Sequence, residues 1–99
     1  MPRPLDEEEV ARQLRDLPAW TGDVRGLHRD VRAPDYRTAV RVVVEVADVA
    51  EEVDHHPDVH LGWRALRIDL VTHDRGAVTQ LDVELAHRVE EVLRDHGCS

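Results

Sequence analysis

The chain has 99 residues, 41% of them hydrophobic and 34% charged, with a formal net charge of −8 from 21 acidic and 13 basic side chains. That length suits a single domain, residues 1–99, around one modest core, and the composition excludes a disordered chain. Every basic residue is arginine and none cluster in a run, so an acidic surface of this kind excludes direct binding to a phosphate backbone.

The longest unbroken apolar run, Val42-Val43-Val44, is far too short to span a bilayer. The opening "MPRPLDEEEV" has no apolar signal core, and a cytoplasmic, unprocessed chain is expected. One cysteine, Cys98, cannot form an internal disulfide or supply a multi-cysteine zinc site.

In chain order, "LDEEEVARQLRDL" (5–17) predicts a short first helix. Asp6 is its N-cap, Glu9 stands three residues on, and Leu5, Val10, Leu14 and Leu17 lean to one side. Pro18 stops it. "AWTGDV" and "GLHRDVRA" then read as two strands, anchored by Trp20 in the first and by Leu27, Arg29 and Val31 on one face of the second.

After Pro34-Asp35, "YRTAVRVVVEVADVAEEVD" is rich in β-branched residues that favour strands. Length and period decide for a helix, because Ala39, Val43, Val46, Ala47, Ala50 and Val53 recur at spacings of three and four. Val42 and Val49 fall beside that stripe, and Val40 and Val44 widen it, which points to self-association through this helix. "VHLGW" and "ALRIDLVTH" form the next strand pair, with Leu66, Ile68 and Leu70 alternating with Arg67 and Asp69. Thr79 caps a last helix in an approximate capping box with Asp82, and Ala86, Val89 and Leu93 form its stripe, with Leu85 and Val92 beside it. The order α-β-β-α-β-β-α predicts an α+β fold, a single four-stranded antiparallel sheet with three helices on one face.

Three of the seven histidines, His55, His56 and His60, fall within ten residues, and His73 lies just beyond. Adjacent histidines followed by proline point in different directions and have no cysteine beside them, so the pattern argues against a metal site. His55 can serve as a helix-end cap, since a histidine there suits the helix dipole. It can also serve proton transfer, because free histidine titrates near neutrality. In that reading a helix end delivers His55 and His56, with Pro57 holding them at its mouth, and a strand end delivers His73. Glu51, one turn before His55, is placed to orient an imidazole. His28, His60, His87 and His96 have no supporting pattern and no assigned role.

The constellation Glu51-x-x-x-His55-His56-Pro57, then Trp63, His73 and Asp82, resembles the signature of the pterin-4a-carbinolamine dehydratases. "LVTHDRGAVTQLDVELAHRVE" is similar to the family's Thr-His-Asp-x-Gly-Gly-Leu-Thr-x-x-Asp-x-x-Leu-Ala segment, and Trp20, Tyr36, Ala39 and Ala50 extend the match upstream. The resemblance implies the same four-stranded sheet with three helices, and dimers or tetramers built through sheet edges and the central helix. It implies dehydration of 4a-hydroxytetrahydropterin to quinonoid dihydropterin and water, with no metal or organic cofactor. His55 and His73 would be the acid–base pair, and His56 would bind the pterin and share in proton transfer. Thr72, Asp74 and Arg75 would line the pocket, and Glu51 and Asp82 would orient imidazoles or hold helix ends. Trp63 would be core or pocket wall. An aromatic amino acid hydroxylase would be the metabolic partner.

Two departures stand out. Ala77 replaces the second glycine of the turn, which would cost about 1 kcal/mol if that position needs positive φ. The chain has no phenylalanine, and Val31, Ala33 and Val44 are expected as smaller core substitutes. An alternative from another class is a non-catalytic dimerisation or coactivator-type binding protein on the same fold.

Overall fold

The computed structural model describes residues 2–99. Its elements run α1 (Glu7–Leu14), β1 (Trp20–Asp23), β2 (Gly26–Arg32), α2 (Tyr36–Val53), β3 (Asp58–Leu61), β4 (Ala65–Leu70) and α3 (Gln80–Asp95). The four strands form one antiparallel sheet in the order β1-β2-β4-β3.

Alternation sets the sheet's two faces. Leu27, Arg29 and Val31 of β2 and Leu66, Ile68 and Leu70 of β4 are buried. Their neighbours Asp30 and Arg67 are exposed on the other side. Arg29 is the polar member of the buried row, and its partners explain why it is tolerated. Nε donates to Glu90 on α3 at 2.7 Å, and Nη1 donates to the carbonyls of Asp30 and Ser99 at 2.7 and 3.0 Å. The Trp20 indole donates to the same Glu90 carboxylate at 2.7 Å, tying β1 to α3. A buried charge is tolerated when it is paired and hydrogen-bonded in this way.

α1 is shorter than its sequence pattern, ending at Leu14, with Leu17 still buried beyond it. Its N-terminus carries a full capping box between Asp6 and Glu9. The Arg3 guanidinium bonded to Glu9, with the cap backbone, holds that carboxyl down at about 2. α2 is helical in spite of its valines. Its buried stripe is Ala39, Val42, Val46 and Ala50, with Val43 and Val49 partly buried beside it. The period is as expected but rotated: Val42 replaces Val43 at the centre, and Ala47 and Val53, expected in the stripe, are exposed. Of the expected aromatic substitutes, Val31 and Ala33 are core residues, whereas Val44 is exposed together with Tyr36 and Val40. In α3, Leu85, Ala86, Val89, Val92 and Leu93 are all buried.

Candidate functional site

α2 stops because Asp54 takes up the left-handed conformation, φ 52° and ψ 46°, the one non-glycine residue with positive φ among those described. Asp tolerates that region better than most side chains. The reversal three residues before Pro57, rather than the proline itself, ends the helix and turns His55 and His56 in different directions. A β-branched residue cannot sit there without strain, so Asp54→Val should cost about 1–2 kcal/mol in chemical denaturation. An unchanged midpoint would show that the corner relaxes.

His55 turns inward. Its side chain is 10% exposed, and Nε2 lies 2.6 Å from Asp82 Oδ1, a carboxylate with 0% exposure. Asp82 is the third residue of α3 and closes the capping box with Thr79. Its Oδ2 accepts from the Thr79 backbone N–H at 2.9 Å and from the Thr72 hydroxyl at 2.8 Å. One buried carboxylate thus caps α3, holds an imidazole from the end of α2, and anchors the residue before His73. Asp82 thus both caps α3 and meets the His55 ring.

His56 turns outward, 55% exposed, and its Nε2 meets the Glu51 carboxylate. Glu51 therefore orients His56, not His55, because the reversal at Asp54 carries the two rings apart. His73 is not on a strand end. β4 finishes at Leu70, and His73 sits in the turn closed by the Thr72–Ala77 bridge. It is 66% exposed, with Nε2 3.8 Å from Asp58, the residue after Pro57. Asp74 and Arg75 occupy the same exposed turn. The left-handed residue there is Gly76, φ 61°, so Ala77 carries no positive-φ strain.

Two expected placements are corrected. Thr72 is only 2% exposed, so it lies beneath the site rather than in a pocket lining, its hydroxyl committed to Asp82 and Thr79. Trp63 is neither core nor wall. It is exposed in the β3–β4 connection, with the Arg64 guanidinium stacked over its ring.

The three rings do not line one common cleft. His55 lines a cleft of about 330 Å³ between the end of α2 and α3, with Val53, Leu81 and Leu85 as apolar wall and Glu84, His87 and Arg88 as polar groups. His56 and Pro57 line a smaller one, about 210 Å³, against Val43, Ala47 and Val59. The first is at the lower end of the size that holds a small ligand. The structure does bring the two histidine-bearing corners together, since Asp82 binds both His55 and Thr72, and Asp58 reaches His73. No sequence signal set Leu81, Glu84, Leu85 and Arg88 apart as lining this cleft, although their spacing of three and four on α3 puts them on one helix face. Among the described residues, no group of three or more His, Cys, Asp or Glu side chains is arranged to hold a metal ion. Among the same residues, no helix is long and apolar enough to cross a membrane.

A family model described as pterin 4 alpha carbinolamine dehydratase matches residues 3–92. The chain belongs to that family. A Streptomyces coelicolor protein, provisionally named pterin-4-alpha-carbinolamine dehydratase, is 44% identical over 95 residues, covering 95% of this chain and 94% of its own. A Nocardia farcinica protein with the same provisional name is 38% identical over 90 residues, covering 91% and 95%. Among solved structures, a Brucella melitensis protein described as a transcriptional coactivator/pterin dehydratase superposes with a TM-score of 0.87 at 28% identity, covering 91% of this chain and 98% of that one. A pterin dehydratase-like protein identified as a RuBisCO assembly factor shares the fold, with a TM-score of 0.61 at 20% identity over 74% of this chain and 84% of its own. The dehydratase fold and the element order expected from the sequence are those of this family.

Proposed function

We propose that this protein is a 4a-hydroxytetrahydropterin dehydratase, a hydro-lyase acting as one domain over residues 1–99 in the cytoplasm. The substrate is a carbinolamine. The electron pair on N5 expels the hydroxyl at C4a, an acid protonates the departing oxygen, and a base takes the N5 proton. Water leaves and quinonoid dihydropterin forms. Histidine is suited to both proton steps near neutral pH, and the proposed reaction calls on no metal or organic cofactor.

The observation that carries the reading is the buried Asp82–His55 pair, joined through Thr72 to the turn that bears His73. An imidazole held by a carboxylate at one nitrogen keeps the other for proton exchange, and His55 opens on a cleft with apolar walls suited to a flat heterocycle. His55 and His73 form the proposed acid–base pair. His56, held by Glu51, binds the ring and shares in proton transfer. Both His56 and His73 are exposed, so their rings are free to turn towards a bound pterin. Pro57, Asp74 and Arg75 stand beside them as contacts for the rest of the substrate. An aromatic amino acid hydroxylase would be the source of the carbinolamine. Self-association into dimers or tetramers through α2 fits its exposed Tyr36, Val40 and Val44.

Those same exposed residues favour the second reading, a dimerisation or coactivator-type binding protein in which the pocket is idle. One assay separates the two. Loss of 4a-hydroxytetrahydropterin, followed spectroscopically with and without the protein, should be accelerated by catalytic amounts. A rate equal to that in buffer excludes the dehydratase reading and leaves the binding role.

A further inference from the structure

Beneath His55 lies a directed chain of hydrogen bonds. The Leu81 amide donates to Thr79 Oγ1 at 3.2 Å, Thr79 and Thr72 share a hydroxyl contact of 2.7 Å, and Thr72 reaches Asp82 Oδ2 at 2.8 Å. Each hydroxyl has one hydrogen, and an ionised carboxylate has none. Thr72 must therefore donate to Asp82, which leaves its oxygen to accept from Thr79, whose own oxygen accepts from Leu81. The direction of every proton in the chain is fixed.

We infer that Thr72 is a positioning residue that sets the tautomer of His55, so that Nδ1 is the nitrogen that exchanges protons. The inference rests on the proposed role of His55. The Thr72 hydroxyl and the Thr79 N–H hold Oδ2, so the carboxylate cannot rotate and Oδ1 faces the ring. With two donors fixing Oδ2, Oδ1 is placed to accept from Nε2–H, and in the neutral ring that leaves Nδ1 as the nitrogen without a hydrogen. Every buried side-chain nitrogen and oxygen among the described residues has a partner, and the ring's hydrogen bond runs through Nε2. Nδ1 is thus the ring nitrogen that solvent or substrate reaches. Without the Thr72 hydroxyl, Oδ2 keeps only the Thr79 amide, the carboxylate is free to turn, and the tautomer preference relaxes.

The test compares the parent with Thr72→Val, which removes the hydroxyl, and Thr72→Ser, which keeps it. Imidazole ¹⁵N spectra report which nitrogen of His55 carries the proton, independently of activity. The parent and Thr72→Ser should show the proton on Nε2, and Thr72→Val should lose that preference. In the dehydration assay kcat should fall roughly ten- to a hundredfold in Thr72→Val, the range for one hydrogen bond to a charged group, and KM should change far less. Thr72→Ser should restore kcat. A parent without the Nε2 proton, or a Thr72→Val protein with parental tautomer and kcat, would overturn the inference. Should Thr72→Val fail to fold, Thr72→Cys, a weak donor of similar size, should weaken the preference, and a parental spectrum would count against it. If the parent does not dehydrate the pterin, the proposed function fails while the spectra still decide the role of Thr72.

Discussion

Replacing Asp82 with alanine should lower stability by about 3–5 kcal/mol, the range for removing one partner of a buried, hydrogen-bonded pair. Three losses coincide. The carboxylate accepts from the Thr79 amide, which closes the capping box of α3, from the Thr72 hydroxyl and from the His55 ring, all in a position with no solvent access. With alanine there, each of those donors is left beneath the surface with nothing to receive it. In a domain of this size, such a loss lowers the melting temperature by roughly 15–30 °C and removes a large share of the total stability. Glu51→Gln is the internal comparison. The His56–Glu51 pair is exposed, and removing its charge should change stability by less than about 1 kcal/mol. Thermal melts of the two variants therefore diverge sharply. A small effect for Asp82→Ala would mean that water or a rearranged side chain satisfies the donors, and that Asp82 does not clasp the two corners.

The second large effect is on rate. His55→Ala and His73→Ala should each reduce kcat for dehydration by about 10²–10⁴-fold, the usual contribution of a positioned proton-transfer group. The two differ in what else they disturb. His55 is nearly buried, and its removal leaves an acceptor position on Asp82 empty, so a stability loss accompanies the rate loss. His73 is exposed and makes only a 3.8 Å contact with Asp58, so its variant should melt like the parent. A folded His73→Ala protein with parental kcat would remove His73 from the acid–base pair while leaving the enzyme reading intact. Parental kcat in both variants would mean that the chemistry runs through other groups.

Much of this architecture is legible in the residues. The alternation of Leu27, Arg29 and Val31 and of Leu66, Ile68 and Leu70 fixes which sheet face is buried, because side chains on a strand reverse at every step. The spacing of three and four overrides the strand preference of the valines in α2, and Thr79 with Asp82 marks the start of α3. What could not be read is what depends on a single backbone angle or on distant partners. The left-handed Asp54 is one such case, since Asp-His-His-Pro carries no glycine to announce it. That one residue decides that His55 goes to Asp82 and His56 to Glu51, the opposite of the nearest-turn pairing. Thr72 reads as pocket lining from its neighbour His73, yet its hydroxyl is claimed by a helix cap ten residues on. Trp63 is expected as core or pocket wall, and the short β3–β4 connection instead leaves it outside.

In the proposed function the corner carrying His55 and His56 and the turn carrying His73 serve one pterin. Titration of a stable dihydropterin into the protein, followed through the imidazole signals of its seven histidines, tests it most directly. The expected result is a saturable shift of the His55, His56 and His73 resonances together, with His28, His60 and His96, which pair with Asp69 and Glu45 elsewhere, unmoved. Shifts confined to those other rings, or no saturable change at His55, would contradict the account.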